Sequence, residues 1–373
     1  MRSAQWRSES GVAAPTNVVI ANDKVTADAA YRWACEGKAL LWRGDFQNAR
    51  QLMLAMARRI DRQATRSKDE TNSPSMKQAF HRQRQQQARR ARLLGMLLLH
   101  FDAHHHLPLR RAPDVAAACT EAFGAAPEPF VMSLRELLGV IGAHEWRKNG
   151  LTIAVLGAKI YPHYGVFAPI RNEYLDLLAN APLPSKTRAF DIGTGTGVLA
   201  AILAHRGVAN VLATDLDARA IACAQENIDR LGIQDQVSLL QTDMFPPGRA
   251  PLIVCNPPWL PAQPSSRLEN AVYDPESRML RGFLSGLTRH LETEGEGWLI
   301  LSDLAEHLGL RSRNEFLAWI SDGGLQVLAR LDTKAKHPRA MDSADPLHRA
   351  RTAEITSLWR LGLSSATLAG ARN

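Results

Sequence analysis

Residues 189–197 read Ala189-Phe-Asp-Ile-Gly-Thr-Gly-Thr-Gly197, a short apolar run that passes directly into a glycine-rich turn. Glycine lets the backbone turn sharply and lets a ligand approach the main chain closely, so such a turn is typical of nucleotide-binding α/β folds. Here the glycines are spaced G-x-G-x-G behind Asp191, whereas dinucleotide-binding folds carry G-x-G-x-x-G. The spacing therefore points away from NAD or FAD.

On both sides of this turn, short apolar segments alternate with helical runs. The clearest helical runs are Val198–His205 and Ala218–Leu231. The strands that we expect are Thr187–Asp191, Asn210–Asp215, Val237–Gln241, Leu252–Asn256, Gly297–Leu301, Gly324–Leu331 and Glu354–Leu361. This alternation predicts a parallel α/β sheet with helices on both faces, and the seventh strand is compatible with an antiparallel edge.

Two more acidic residues stand at the carboxyl ends of predicted strands. A carboxylate at Asp215 can bind both hydroxyls of a ribose, and Asp243 can accept a hydrogen bond from an adenine amino group. Leu216 and Met244 follow them as apolar neighbours of the purine ring. Either aspartate alone is equally compatible with a helix cap or a loop carboxylate. Because both lie at the same edge of the sheet, together they predict an adenosine pocket.

The fourth motif, Asn256-Pro257-Pro258-Trp259, follows the next strand. The lone pair of an amide or exocyclic amino nitrogen is conjugated and must be turned towards an electrophile before it can react. Hydrogen-bond acceptors such as the Asn256 side-chain oxygen and the Pro257 carbonyl can hold that nitrogen in line. The prolines stiffen the loop and leave no competing N–H, and Trp259 offers a flat face for a planar acceptor. A structural proline turn after a buried strand is the alternative.

Together these motifs resemble the class I S-adenosylmethionine-dependent methyltransferases with an NPP-[Y/F/W] loop. Within them the HemK-type glutamine methyltransferases and the related small methyltransferase domains are most similar. The resemblance implies a Rossmann-like seven-stranded domain with S-adenosyl-L-methionine as cofactor. It implies that Asp191, Gly193 and Gly195 hold the methionine end, Asp215 the ribose and Asp243 the adenine. Thr194 and Gly197 belong to the same cofactor-binding turn. Asn256 then borders the cofactor and carries the catalysis with Pro257, Pro258 and Trp259.

A segment before the first sheet strand, Val166–Pro169 with Glu173, resembles the stretch that lines the substrate side in that family. The resemblance places Phe167 and Pro169, with Trp259, next to the acceptor. The sequence departs from the HemK pattern in three places: tryptophan stands where tyrosine is usual, residues 161–171 differ, and the amino-terminal part has no obvious counterpart. Tryptophan at that position also occurs in nucleic-acid adenine methyltransferases.

The charge of +8 is concentrated in the amino-terminal part of the chain. Residues 1–150 hold 23 Lys and Arg against 14 Asp and Glu, and no acidic residue lies between Thr71 and Phe101. The basic run Arg82–Arg92 is either a solvated helix face or a contact surface for RNA or an acidic protein. We expect a loose tail over 1–25, a mainly helical basic domain over 26–150, a β-like segment with helix and linker over 151–185, and the methyltransferase domain over 186–365.

Several functional classes remain open for the methyl acceptor. A protein glutamine side chain, in a partner resembling a peptide-release factor, is favoured; the alternatives are an RNA or DNA amino group (adenine N6 or guanine N2), a small molecule, or a non-catalytic scaffold. The loops Pro261–Tyr273 and Lys334–Arg339 are candidates to cover the acceptor site. Four single cysteines, no CxxC and no signal or membrane-spanning segment predict a cytoplasmic protein with no metal and no membrane partner. The oligomeric state is not encoded in these patterns.

Overall fold

The computed structural model describes residues 4–66, 75–171, 173–264, 268–334 and 342–370. The chain divides into two units, Met1–Glu145 and Trp146–Asn373. The division falls inside a helix rather than after residue 150, where the sequence predicted a boundary. Across the residues that the structure describes, none of the helices combines the length and the apolar character that crossing a membrane requires.

The first unit contains a five-stranded sheet in the order β1-β5-β4-β3-β2. Its strands are β1 (Gln5–Trp6), β2 (Val18–Ala21), β3 (Ala39–Trp42), β4 (Leu97–Phe101) and β5 (Phe130–Ser133). Only the β4–β5 pair is antiparallel. The helices of this part are α1 (Ala27–Cys35), α2 (Phe46–Arg66), α3 (Met76–Leu94), α4 (Ala116–Phe123) and α5 (Leu134–Asn149).

The sheet corrects the sequence prediction for this unit. Residues 1–25, expected to be a loose tail, contain β1 and β2, and β3 and β4 lie within the stretch 26–150 that was expected to be mainly helical. The helices of the expected helical domain are present, but the sheet among them was not predicted. The physical reason is that β2, β3 and β4 are four or five residues long and pair in parallel, so partners far away in the chain stabilise them and local periodicity does not reveal them.

The second unit begins with a β-hairpin and a helix, β6 (Leu151–Ile153), β7 (Ala158–Ile160) and α6 (Glu173–Asn180). A seven-stranded sheet follows in the order β10-β9-β8-β11-β12-β14-β13. Its strands are β8 (Arg188–Ile192), β9 (Asn210–Asp215), β10 (Val237–Gln241), β11 (Ala250–Cys255), β12 (Leu291–Ser302), β13 (Leu325–Lys334) and β14 (Ile355–Leu363). The helices between and after them are α7 (Val198–His205), α8 (Ala218–Leu231), α9 (Arg278–His290), α10 (Leu304–His307), α11 (Arg313–Asp322), α12 (His348–Ala353) and α13 (Ser365–Gly370).

Both faces of this sheet are buried, as the predicted α/β class requires. Successive residues of β11 alternate between two cores: Leu252 and Val254 belong to one apolar cluster, and Ile253 and Cys255 to the other. Helices α6, α7 and α8 cover the first face, and α9 and α11 cover the second. Because a strand buried on both faces reads as a continuous apolar run, β11 was recognisable from sequence.

The last strand of the chain differs in position from its prediction. Strand β14 is antiparallel, but it lies between β12 and β13, and β13 forms the edge. The other six strands all run in one direction, so the carboxyl ends of β8, β9, β10 and β11 meet at one edge of the sheet. That edge carries the predicted motifs.

Candidate active site

The glycine-rich turn after β8 is fastened to the neighbouring strand. The amides of Gly193 and Thr194 both donate to the carbonyl of Thr214, at 2.9 and 2.8 Å. Gly193, Gly195 and Gly197 have φ of +74°, +56° and +80°, which side chains with a Cβ rarely adopt. The turn is therefore held in one shape at the carboxyl edge, directly before α7.

The three glycines face different surroundings. A Cβ added at Gly195 meets nothing within 4 Å, so this position borders open space. A Cβ at Gly193 would lie 2.6 Å from the terminal carbon of Met279, and one at Gly197 would lie 3.2 Å from the Cβ of Ala224. Gly195 therefore gives a ligand the closest access to the main chain. The structure places Gly197 against α8, where it allows close helix packing.

Asp191 is completely buried beneath the turn. Its Oδ2 accepts hydrogen bonds from the Thr194 hydroxyl at 2.7 Å and from the Ala200 amide at 3.1 Å. Its Oδ1 has no hydrogen-bond partner among the described residues. Burial raises the pKa of Asp191 to about 7, the nearby Asp215 adds to this, and the two hydrogen bonds oppose it. A buried acceptor without a donor is costly, so the site fits a ligand that brings a cationic N–H group.

The Asp215 carboxylate lies beside the turn at the end of β9. Its Oδ2 accepts from the Gly195 amide at 2.9 Å and its Oδ1 from the Asp217 amide at 3.0 Å. Burial raises the pKa of Asp215, and the backbone hydrogen bonds oppose that rise. A carboxylate has about four acceptor positions, so Asp215 retains acceptor capacity for a hydroxyl. The neighbouring Leu216 exposes 63% of its surface, an apolar area available to a flat ring.

Asp243 and Met244 follow β10 at the same edge. Met244 has a φ of +70°, uncommon for a residue with a side chain, and its carbonyl accepts from the Thr214 hydroxyl at 2.6 Å. The Asp243 carboxylate is largely exposed and forms an ion pair with Arg278, 3.1 Å away at the start of α9. The structure thus brings Asp243 to the expected edge but gives it a partner that the sequence did not indicate.

The Asn256 side chain is held by the indole of the same loop. The Trp259 indole N–H donates to Asn256 Oδ1 at 2.9 Å. Because an indole N–H can only donate, this contact fixes which end of the amide is the oxygen. Burial raises the pKa of the neighbouring Tyr174 hydroxyl, and the Asn256 side chain opposes that rise.

Tyr174 is a site residue that sequence reasoning missed. It is buried in α6, and its ring meets the Trp259 ring edge-on, with centroids 6.3 Å apart and an interplanar angle of 84°. It lies 82 positions before Asn256 in the chain and belongs to an ordinary amphipathic helix, so no local pattern distinguished it from a core residue.

The expected acceptor-side segment packs on α8. Val166 is buried against Ala220 and Cys223, Pro169 is buried, and Phe167 is half-buried. Asn227 connects this segment with the glycine-rich turn: its Oδ1 accepts from the Tyr161 amide at 2.7 Å and its Nδ2 donates to the Thr196 carbonyl at 2.9 Å. Of the two loops expected to cover the site, residues 265–267 and 335–339 lie outside the described part of the chain.

Comparison with known proteins gives the same result as the fold and the motifs. The family model described as ribosomal protein L11 methyltransferase (PrmA) matches residues 174–287, less than half of the chain. The second unit has the seven-stranded α/β fold expected for class I methyltransferases, and residues 174–287 within it are similar to that methyltransferase family. The glycine-rich turn follows β8 and the NPPW loop follows β11, at the same edge of the sheet.

The relatives of this part of the chain carry different names. A tRNA1(Val) (adenine(37)-N6)-methyltransferase of Shewanella loihica is 28% identical over 175 residues, 44% of this chain and 69% of that protein. A release factor glutamine methyltransferase of Cereibacter sphaeroides is 41% identical over 92 residues, 24% and 31% of the two chains. A ribosomal protein L11 methyltransferase of Symbiobacterium thermophilum is 43% identical over 70 residues, 19% and 23%. The chain thus spans from under a quarter to about two thirds of these relatives.

The raised pKa of Asp191 leads to a pH-dependent prediction for cofactor binding. If the ionised carboxylate attracts a cationic ligand, protons compete with that ligand below pH 7, and affinity falls by up to about tenfold per pH unit. Asp191→Asn retains an oxygen for Thr194 and Ala200 but does not titrate. Calorimetric titration with S-adenosylmethionine at pH 8, 7 and 6 is expected to show that affinity falls more steeply with decreasing pH for wild type than for this variant. Parallel slopes would show that Asp191 does not interact with the charge of the ligand.

Proposed function

We propose that this protein is an S-adenosylmethionine-dependent N-methyltransferase that acts on a planar amide or amino nitrogen of a macromolecule. The observation that carries the proposal is the amide of Asn256 at the end of β11, whose oxygen is fixed by the Trp259 indole N–H. An oxygen presented in this way, next to an adenosine-type pocket, suits the orientation of an N–H group better than proton abstraction.

The residues present fit the cofactor. The unpartnered Asp191 Oδ1 suits the cationic methionine end, the open space at Gly195 suits close contact with the main chain, and Asp215 suits the ribose hydroxyls. Leu216 and Met244 would border the adenine, and Asp243 would meet its amino group if the ion pair with Arg278 opens or turns. When bound, the cofactor supplies a methyl group on a positively charged sulfur.

Asn256 would orient the acceptor nitrogen. A carbonyl oxygen has two lone pairs, and Trp259 uses one of those on Oδ1, so the second can accept an N–H of the acceptor. The carbonyl of Pro257 would accept the other N–H of an NH₂ group, and neither Pro257 nor Pro258 has an amide proton that competes. The nitrogen lone pair would then point towards the sulfonium methyl that the bound cofactor supplies. Formation of the N–C bond would accompany cleavage of the C–S bond, whose electron pair would remain on the sulfur, and the nitrogen would lose a proton to water.

A protein glutamine side chain is the first candidate for the acceptor. Its amide has the planar NH₂ group that the Asn256 site would hold, and the resemblance to glutamine methyltransferases covers the motif residues of the pocket. The match to a release factor glutamine methyltransferase supports this choice. A cytoplasmic location belongs to the same proposal, because the four cysteines are free thiols.

A base amino group in RNA is the second candidate, and two observations favour it. Trp259 offers a flat surface that suits a purine, and α3 carries a row of cations on its exposed surface. The exposed ones are Lys77, Arg82, Arg89, Arg90 and Arg92. Arg90 is paired with Asp61 at 3.0 Å, and Arg89 donates to the Tyr31 hydroxyl at 3.3 Å. A tRNA adenine methyltransferase is among the relatives.

The deciding experiment labels the acceptor. The purified full chain is incubated with tritiated S-adenosylmethionine and extract from cells that lack it, and the product is split between protease and nuclease digestion. We expect macromolecular label that wild type transfers and Asn256→Ala does not. Label released by protease and mapped to glutamine supports the first candidate; label released by nuclease selects the second. Label found only in small molecules, or in oxygen or carbon positions, contradicts the proposal.

A further inference from the structure

Arg171, just before α6, is clamped by two buried carboxylates. Its Nε and Nη2 donate to Glu173 Oε1 at 3.0 and 2.9 Å, and its Nη1 donates to Glu354 Oε1 at 3.0 Å. Glu173 and Glu354 expose only 4% and 1% of their surfaces. The Ser302 hydroxyl at the end of β12 donates to the same Glu354 oxygen at 2.6 Å. All three side-chain nitrogens of Arg171 thus donate to one of these two carboxylates, and Ser302 in turn fixes the Glu354 carboxylate.

Stability alone is a poor explanation for this cluster. Two carboxylates face one guanidinium, and removing charges from water costs several kcal/mol per ion, which ion pairing often fails to recover. Apolar residues of similar volume would commonly be at least as stabilising. A buried ionic cluster that fixes one side chain in one position therefore suggests a positional role for that side chain.

The clamped guanidinium lies over the Trp259 ring, 5.0 Å from its centroid. Tyr174 meets the same ring edge-on, and the indole N–H reaches Asn256 Oδ1. A guanidinium over an indole is an attractive and directional contact. The contacts thus run from Glu173 and Glu354 through Arg171 to Trp259, and from Trp259 to the oxygen of Asn256.

We infer that Arg171 is a positioning residue that fixes Trp259 and, through its indole N–H, the Asn256 oxygen that holds the acceptor nitrogen. The inference rests on the proposed N-methyltransferase function. It also refines the expected role of Trp259: one face of the indole is covered by Arg171, so a planar acceptor stacks on the opposite face. The clamp lies 85 residues before the NPPW loop and, at Glu354, 95 residues after it.

The test compares two Arg→Lys changes of the same chemistry. Lysine keeps the charge but cannot bridge two carboxylates with a planar fork or stack in the same way. Arg171→Lys is expected to lower methyl transfer to extract by at least about tenfold at saturating S-adenosylmethionine, because small misplacements of reacting groups are costly. Arg281→Lys is the matched control: Arg281 lies over Trp319 at 5.4 Å on α9, and transfer should stay within about twofold.

A double-mutant cycle shows whether Arg171 acts through Trp259. If it does, Arg171→Lys combined with Trp259→Phe transfers no more slowly than Trp259→Phe alone, since coupled residues are non-additive. If the losses in transfer rate of the two single variants multiply in the double variant, the inference is overturned. Calorimetry should give unchanged affinity for S-adenosylmethionine in every variant, and loss of that affinity in Arg171→Lys would also overturn it.

A readout that needs no acceptor separates this inference from the proposed function. Acrylamide quenching of tryptophan fluorescence measures how accessible Trp259 is, once the signal of the Trp259→Phe protein has been subtracted to remove the other tryptophans. Trp259 is expected to be more accessible in Arg171→Lys and in Glu354→Gln. Glu354→Gln keeps an oxygen for Ser302 and removes one buried charge. It can therefore replace Arg171→Lys in this test if Arg171→Lys folds poorly. Unchanged accessibility in both contradicts the positioning role even if Asn256→Ala proves inactive. An active Asn256→Ala contradicts the proposed function and leaves the fluorescence result to judge the clamp.

Discussion

Replacing Asn256 with alanine is expected to lower methyl transfer by about 10²- to 10³-fold, the loss usual when one preorganised group that stabilises a transition state is removed. The affinity for S-adenosylmethionine should change by less than about threefold. The reason is that the described side-chain hydrogen bond of Asn256 goes to Trp259, whereas the residues proposed to hold the cofactor lie on the turns after β8, β9 and β10. Tritium transfer to extract and calorimetric titration measure the two quantities on the same protein.

Two further variants make this prediction specific to the oxygen of Asn256. Asn210→Ala removes another asparagine, at the first residue of β9 and hence the opposite edge of the sheet, and transfer should stay within about twofold. Asn256→Asp keeps an oxygen towards Trp259 but replaces the amide NH₂ with a second oxygen, so transfer should fall less than in the alanine variant. If Asn256→Ala lost cofactor binding instead, the proposed separation between cofactor pocket and reaction loop would be wrong.

The sequence was most informative where structure depends on neighbouring residues. Three elements have the predicted bounds, because apolar periodicity and end signals are strong and local there. They are the helices Val198–His205 and Ala218–Leu231 and the strand Asn210–Asp215. The glycine-rich turn was recognisable for the same reason. In parallel sheets the carboxyl ends meet at one edge, so placing each motif after a strand also brought the motifs together.

The features that the sequence did not predict depend on distant partners. Strand β3 (Ala39–Trp42) was read as part of a helical run, and β14 as an edge strand, because pairing is decided by β2 and β4 in one case and by β12 and β13 in the other. The contact between Arg171 and Glu354 joins residues 183 positions apart. A charged residue in such a contact looks from sequence like a surface residue, since Arg and Glu are seldom buried unless paired.

Replacing Asp215 with alanine is expected to have the opposite profile to the Asn256 change. If each carboxylate oxygen accepts one ribose hydroxyl, two charge-assisted hydrogen bonds are lost, each contributing about 1.5–3 kcal/mol. Part of this is offset because burial disfavours the ionised carboxylate, as the raised pKa of Asp215 indicates. We therefore expect the dissociation constant for S-adenosylmethionine to rise by about 100-fold, while transfer at saturating cofactor stays near the wild-type rate.

The neighbouring Asp217 provides the control that separates ligand contact from local structure. Its side chain caps α8 by accepting from the Arg219 amide at 2.9 Å, and its own amide donates to Asp215. Asp217→Ala loosens the first turn of α8 but leaves the Asp215 carboxylate in place, so it should weaken cofactor binding by no more than about threefold. Equal losses in both variants would mean that the start of α8, rather than a ribose contact, sets the affinity. Normal binding by Asp215→Ala would contradict the ribose assignment itself, and the adenosine pocket would then have to rest on Asp191 and the main chain at Gly195.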